Sequence, residues 1–277
     1  MRKKLCFKIF TYLILCLILV VQFYPIFWVL TTSLKTQTET QTGSPFAFPQ
    51  SIYLGNYQRA IEESNLGLYY FNSIVVTLVT IVCIIIFSST AAFAIQKMRF
   101  KFSNTAMTFF LSGITIPIHI TLIPLFMIYR NLDILNSYVS LILPQIGFGL
   151  PISIYLFTAF YKYVPDSLLE AATIDGASII KSFVSIYLPL SKNTIMTVVM
   201  MNMIGVWNEF VFANTFISKP EMKTLPVGLF DFVGEKGAVD WGATFAAISL
   251  CITPLLILYF ILNKRIIEGM IAGAIKE

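Results

Sequence analysis

Side chains able to do chemistry are few in this chain, and they are scattered. One histidine is present, His119, in an apolar stretch between Pro117 and Pro124. The four cysteines, Cys6, Cys16, Cys83 and Cys251, lie in or beside apolar stretches with no CxxC and no metal-ligand spacing. They read as small hydrophobes, not as a disulfide framework or a metal site. The sequence has no GxxxxGK[ST], so nothing cradles a nucleotide phosphate. No carboxylate, His or metal cluster lies in the apolar stretches, which counts against proton- or sodium-coupled carriage and against membrane-embedded catalysis. The chain is therefore read as a non-enzyme that binds no cofactor or metal. Neutral polar groups remain. Asn202, Gln145, Thr115, Thr121 and Asn208 could hydrogen-bond a neutral, hydroxyl-rich solute along a path, or tie helices to one another. His119 could belong to such a path or be a hydrogen-bonded packing residue.

The densest group of informative residues is the segment 161–192, YKYVPDSLLEAATIDGASIIKSFVSIYLPLSK. Pro165 permits a helix start, and Ser167-x-x-Glu170 has capping-box spacing. The Asp175-Gly176 pair ends that helix, because glycine accepts the left-handed conformation after a C-cap cheaply. Ser178 can cap a second short helix, which Pro189 is expected to close. Ala171 and Ala172 would let a partner's backbone come close, with Glu170 beside them as one charge for a specific pairing. The alternative is a loop lying on lipid headgroups.

The elements that must position these residues are membrane helices. Hydrophobic residues make up 57% of the chain and charged residues 12%, and mean hydropathy is +0.80. A soluble fold of this size could not hide so much apolar surface, so lipid must be the solvent for much of it. Six apolar runs are expected to be transmembrane helices: 9–30, 71–95, 105–129, 137–160, 193–217 and 241–262. No Lys, Arg, Asp or Glu interrupts them before the Asn208-Glu209 end of the fifth. The first covers about 33 Å at 1.5 Å per residue, and no A-x-A cleavage site follows, so it is expected to be a retained span. Strands would need short alternating segments, which are absent. The fold class expected is all-α: a polytopic membrane protein, 1–277 forming one six-span transmembrane domain.

Lys and Arg set the orientation. With the N-terminus inside, inner segments hold Arg2, Lys3, Lys4, Lys8, Lys97, Arg99, Lys101, Lys162, Lys181, Lys192, Lys264, Arg265 and Lys276; outer segments hold Lys35, Arg59, Arg130, Lys219, Lys223 and Lys236. Both termini and the 161–192 loop are then cytoplasmic. The net charge of +5 is a topology signal, without the basic face and interleaved aromatics of a nucleic-acid binder. Outer segments are too short for a ligand-binding domain. In powered transport, capture and energy must both come from other subunits. In the third run, Pro117 and Pro124 are seven apart and fall on one face; they bend a pore helix, or make a kink filled by neighbouring helices. At the outer end of the fifth run, Trp207 and Phe210 fit an aromatic belt, while Glu209 beside Asn208 is assigned to an outer gate, with a docked binding protein as the alternative.

The spacing Glu170-Ala171-Ala172, three residues, Gly176, nine residues, Ile186, one residue, Leu188-Pro189 resembles the EAA loop of permease subunits of bacterial ABC importers. Further residues resemble the carbohydrate-uptake branch: Asn56-Tyr57, Asn72-Ser73, Ala92-Phe93-Ala94, Leu135-Asn136, Ile174 to Ser178, Trp207 to Phe210, Thr224 to Leu229, and Glu268-Gly269-Met270 to Ala272-Gly273-Ala274. The whole is similar to the second, maltose-type permease of such systems, departing at Asn263-Lys264-Arg265, where that family more often has Gln before its aromatic residue. The resemblance implies a subunit of an ATP-driven oligosaccharide importer in the cell membrane. Its loop would form a coupling helix seated in a cytoplasmic ATPase, with Glu170 meeting a basic residue there and Gly176 setting the bend. Implied partners are a second homologous permease, two ATPase copies that bind ATP and Mg, and an external solute-binding protein. Importers of another small organic solute, a glycerol phosphate diester or a polyamine, are the alternative reading, and a secondary carrier is a further one.

Overall fold

The computed structural model describes residues 2–62, 65–98, 100–232 and 239–274, with side chains described over 7–62, 65–98, 100–232 and 239–261. Of the topology cations, Arg99, Lys236 and Lys276 lie outside the described residues, as do the side chains of Arg2, Lys3, Lys4, Lys264 and Arg265 and those of the Asn263 to Ala274 family marks.

The described chain is helical: α1 (Arg2–Ser33), α2 (Gln37–Thr42), α3 (Gly55–Glu62), α4 (Leu66–Lys97), α5 (Ser103–Ser112), α6 (Ile118–Asn131), α7 (Tyr138–Tyr163), α8 (Ser167–Ile174), α9 (Ile179–Ser182), α10 (Leu188–Leu190), α11 (Lys192–Trp207), α12 (Val211–Phe216), α13 (Leu225–Gly228) and α14 (Trp241–Ala274). Among the described residues, four helices are long and apolar enough to cross a membrane, and up to six spans result if two bent pairs each count as one. Helices are the form that satisfies every backbone group internally in lipid.

Two of the six expected runs are not single straight helices. The third breaks between Ser103–Thr115 and Ile118–Asn131, at 98°. Pro117 causes this: the residue before a proline is driven out of the helical region, and Ile116 is extended at φ −82°, ψ 114°. Pro124 sits inside α6. So Pro117 turns the chain sharply, which goes beyond the shared-face bend expected of two prolines. In the fifth run α11 stops at Trp207, and the chain resumes as the separate α12.

The chain divides into two compact units, one of residues 1–67 and 228–253 and the other of 68–227 and 254–277. In the first, α1 leaves most of its described apolar side chains exposed between Phe7 and Leu30. Asn56 is fully buried, and its amide nitrogen donates to the carbonyls of Ser33 and Lys35, both at 2.7 Å. Its Oδ1 accepts from Arg59, which is paired with Asp240 at 3.0 Å. The Tyr57 hydroxyl bridges Ser33 and Ser249 at 2.8 and 2.9 Å. Thr36 and Glu39 form a reciprocal capping box on α2. Backbone N–H bonds from Gln50 and Thr36 hold the Glu39 carboxyl below the usual carboxylate range.

In the second unit α7 packs on α5 and α11. The core joins Ile84 and Phe93 of α4, Ile154, Phe157 and Tyr161 of α7, Val198 of α11 and Tyr187 of the loop. Close approach is set by Gly149, where an added Cβ would fall 2.6 Å from Asn202 Oδ1 and against Ile84. A small residue at a helix crossing is how membrane helices gain packing.

At the other end of this unit, two asparagines, buried Asn72 and half-buried Asn136, clamp the backbone. Asn72 donates to the carbonyls of Glu221 and Lys223, each at 2.9 Å, and accepts from the Tyr138 hydroxyl at 2.7 Å. Ser73 accepts the N–H of Leu225. Asn136, at φ 56°, accepts from the N–H groups of Ser218 and Lys219 at 2.6 and 3.0 Å. Asparagine tolerates that left-handed conformation better than most residues.

Candidate functional site

The 161–192 loop is two short helices held by local chemistry. Asp166, not Ser167, stands at the N-cap of α8, and no side chain caps it. The Ser167-to-Glu170 box expected from spacing is not formed, because the helix begins one residue earlier. The Asp166 carboxylate turns instead to Lys97, at 2.7 Å. Lys97 also donates to the Val164 carbonyl at 2.5 Å, and its ammonium lies 5.8 Å from the centre of the Tyr187 ring. With a side chain only 3% exposed, this lysine has lost most of its water. Burying an ammonium costs several kcal/mol unless anion and carbonyl partners replace its hydration, and here both are present. One cation thus ties the end of α4 to the start of the loop.

The break between the helices is a complete Schellman motif. Gly176 has φ +75°; its N–H donates to the Thr173 carbonyl at 3.0 Å, and that of Ala177 to Ala172 at 2.9 Å. Ser178 then caps α9 by accepting the Lys181 N–H at 3.2 Å. The second helix does not close at Pro189. A wide π-type turn over Phe183–Tyr187 leads into α10, which contains Pro189. A proline ring clashes with the carbonyl four residues back in a regular helix, and the wider turn removes that clash.

Leu169, Ala172, Ser182, Ile186 and Tyr187 are turned inward, and Leu188 is half-buried. Glu170, Ala171, Asp175, Gly176 and Pro189 are exposed. Ala172 therefore packs inward, and only Ala171 is left to present a small surface. The exposed face is also apolar: Ile174 is 86% and Ile180 76% exposed. A cavity of about 570 Å³ runs beside α8, lined by Lys97, Asp166, Leu169, Glu170, Thr173 and Ile174. Exposed apolar side chains beside the exposed acids Glu170 and Asp175 form a surface suited to a protein partner.

The neutral polar groups separate into two sets. Asn202 and Gln145 are buried, and with Glu209 they line one cavity of about 190 Å³. Asn202 donates to Ser153 Oγ at 3.0 Å, so it also joins α11 to α7. The Glu209 carboxylate accepts the N–H groups of Phe212 and Ala213 at 2.6 and 3.1 Å, which fixes the turn into α12. Outside this cavity, Asn208 is exposed and bonds its own helix at Ile204. Thr115 and Thr121 likewise bond carbonyls three residues back. Pro117, Pro124 and His119 do not line the cavity; His119 is exposed on the first turn of α6.

Lys97 reads from sequence only as a topology cation, and its tie to the loop escapes that reading. A lysine ending a long apolar run opposite a Pro-Asp pair is the available signal. Asn56, Asn72 and Asn136 are legible only as family marks, with their clamping roles unread.

A family model described as binding-protein-dependent transport system inner membrane component matches residues 84–271. The chain is 34% identical over 260 residues to a sulfoquinovosyl glycerol transport system permease protein of Agrobacterium fabrum, covering 94% of this chain and 91% of that one. It is 31% identical over 279 residues to a trehalose/maltose transport system permease protein of Thermococcus litoralis, covering 100% and 99%. The crystal structure of a bacterial ABC transporter involved in import of the acidic polysaccharide alginate contains a chain of the same fold. The TM-score is 0.84 at 22% identity, over 95% of this chain and 98% of that one.

Proposed function

This chain belongs to the family of binding-protein-dependent transport system inner membrane components, and we propose that it is the permease subunit of an ATP-driven importer of carbohydrate, an oligosaccharide in particular. Near full-length similarity to permeases named for trehalose/maltose and sulfoquinovosyl glycerol supports the solute class. As a multi-pass membrane protein it uses residues 1–277 as one transmembrane domain, with both termini cytoplasmic as the cation bias requires. It pairs with a second homologous permease, receives solute from an external binding protein, and docks one of two ATPase copies, which supply the ATP and Mg chemistry.

The observation that carries this reading is the exposed face of α8 and α9. Glu170 and Ala171 lie there beside Ile174 and Ile180, on helices anchored to α4 through Lys97. That face is the ATPase dock, with Glu170 meeting a basic residue and Asp175 and Gly176 holding the two helices at their angle. Ile186 packs the second helix on the core, and half-buried Leu188 with exposed Pro189 completes the coupling segment. Push on α8, and Lys97 carries the displacement into α4. Asn202 and Glu209 lie on the translocation path, and Asn208 with Glu209 forms the outer gate. Pro117 and Pro124 shape the helix that borders the path. ATP-driven closure of the ATPases swaps the access of that path between the two sides.

Glu170→Lys tests the dock. Placing like charges in an interface costs several kcal/mol, so uptake should fall about a hundredfold, or about 3 kcal/mol. The protein should stay at its normal membrane level, since Glu170 is exposed and outside the core. Undiminished ATP-driven uptake in this variant would remove the coupling assignment.

A further inference from the structure

Among the buried side-chain oxygens of the second unit that lack a partner in the described structure, the one on Gln145 belongs to a cavity wall. Gln145, only 7% exposed, donates from Nε2 to the Leu141 carbonyl at 3.0 Å, but its Oε1 bonds nothing in the described structure. A buried polar atom left unpaired is costly, so each such atom calls for an explanation. This one belongs to a side chain that lines the cavity of about 190 Å³ between α7 and α11.

The other walls of that cavity are chemically sorted. Asn202 gives both of its hydrogen bonds from Nδ2, to Ser153 and Val198, so its Oδ1 faces the cavity region as an acceptor. Glu209 supplies a carboxylate whose oxygens also accept backbone N–H groups at the turn into α12. Phe148 and Phe212, ring centres 5.9 Å apart, form an apolar wall. Gly205 leaves room, as a Cβ there would meet nothing within 4 Å. Residues that carry acceptor groups and an apolar wall line one cavity, which matches a ligand that has many hydroxyl donors on its edge and C–H groups on its face. An anionic ligand would find a carboxylate and no cation.

We infer that Gln145, Asn202 and Glu209 form a solute-contact site inside this subunit, which takes one ring of a neutral sugar and gives Gln145 Oε1 its missing donor. The inference rests on the carbohydrate reading above and adds to it a site, a new residue and a preference for uncharged sugars. The volume is below the 300–1,000 Å³ usual for drug-sized ligands, which suits one ring of a longer chain passing through.

The test uses the intact transporter in membranes of cells that express it with its partner subunits. Uptake is measured for labelled maltose, melibiose, raffinose and cellobiose, and for digalacturonate as the anionic control. Gly205→Leu puts a larger side chain on the cavity wall at a position where an added Cβ meets nothing within 4 Å, so the protein should reach the membrane normally while uptake of the transported neutral sugar falls at least about tenfold, the worth of roughly 1.4 kcal/mol. In parallel, Gln145→Cys, with Cys6, Cys16, Cys83 and Cys251 changed to Ala, is modified with 2-aminoethyl methanethiosulfonate. The transported sugar should slow modification about tenfold, and a sugar that is not transported should leave it unchanged. Unchanged uptake in Gly205→Leu, no modification of the thiol introduced by Gln145→Cys, or modification at one rate with and without the transported sugar would each overturn the site while leaving the carbohydrate reading intact. A wild-type transporter that takes up none of the neutral sugars would overturn both.

Discussion

Two ends of the second unit are stabilised by opposite means. At the asparagine clamp, side chains reach backbone far away in sequence: buried Asn72 holds residues 221 and 223, and half-buried Asn136 holds 218 and 219. In the 161–192 loop nearly every polar bond is local, closing turns a few residues long at an exposed surface. The clamp makes one region of the fold depend on another. The loop keeps its own shape and meets the rest through an apolar underside and one cation, Lys97. A segment that has to be displaced without being reshaped needs that second arrangement: strong internal caps and few ties outward.

Removing the clamp should have the largest effect on stability. Asn72→Ala deletes three hydrogen bonds at a fully buried position and strands two carbonyls and the Tyr138 hydroxyl. At about 1 kcal/mol each, the loss should be about 3 kcal/mol, read as a lower unfolding midpoint of the detergent-solubilised complex. Uptake per folded molecule should be unchanged. If Asn72→Ala leaves stability intact and lowers uptake, the clamp belongs with the moving parts and the comparison fails.

Asp166→Ala probes the one strong tie of the loop. Breaking a fully buried ion pair costs about 3–5 kcal/mol, but Asp166 is 43% exposed and water can partly replace it. A loss of about 2 kcal/mol is expected on that discount, together with an uptake defect larger than the stability loss explains. Asp166→Glu should recover stability better than transport, since a longer carboxylate can still reach Lys97 but shifts α8. Equal recovery of both would mean that Lys97 only packs the loop and transmits nothing.

The loop is more legible in the sequence than the clamp, and the reason is physical. Caps and glycine breaks act over three to six residues, so Gly176 and Ser178 announce their geometry in their spacing. Even so, spacing alone misplaces the helix start: Asp166 stands at the N-cap of α8 without capping it, and its carboxylate goes to Lys97, which is distant in sequence. Six apolar runs are plain from composition. The sharp break at Pro117 and the stop at Trp207 are not, since a proline in a membrane helix can kink, break or be tolerated according to its neighbours. Asn72 and Asn136 look like any polar residue near a span end until the segments they clamp are in place. Gln145 is legible as a polar residue in a span, but the orphan oxygen that makes it informative emerges only once its surroundings are known.

The smallest effect is expected at Ser178, where the comparison is sharpest. Its hydroxyl accepts the Lys181 N–H at 3.2 Å on an exposed turn, and losing such a cap costs about 1 kcal/mol. Because water can reach that N–H, global stability should shift by no more than this. The local consequence is specific: α9 has four residues, too short to persist by propensity alone, so its first turn should fray. Amide hydrogen exchange in the membrane-embedded protein should then quicken at Lys181 and Ser182 in Ser178→Ala and stay unchanged in α8, whose Schellman closure is independent. Ser178→Asp should keep protection at the wild-type level. If exchange quickens across α8 as well, the two helices share their stability, and the loop would be a single cooperative piece instead of two capped ones.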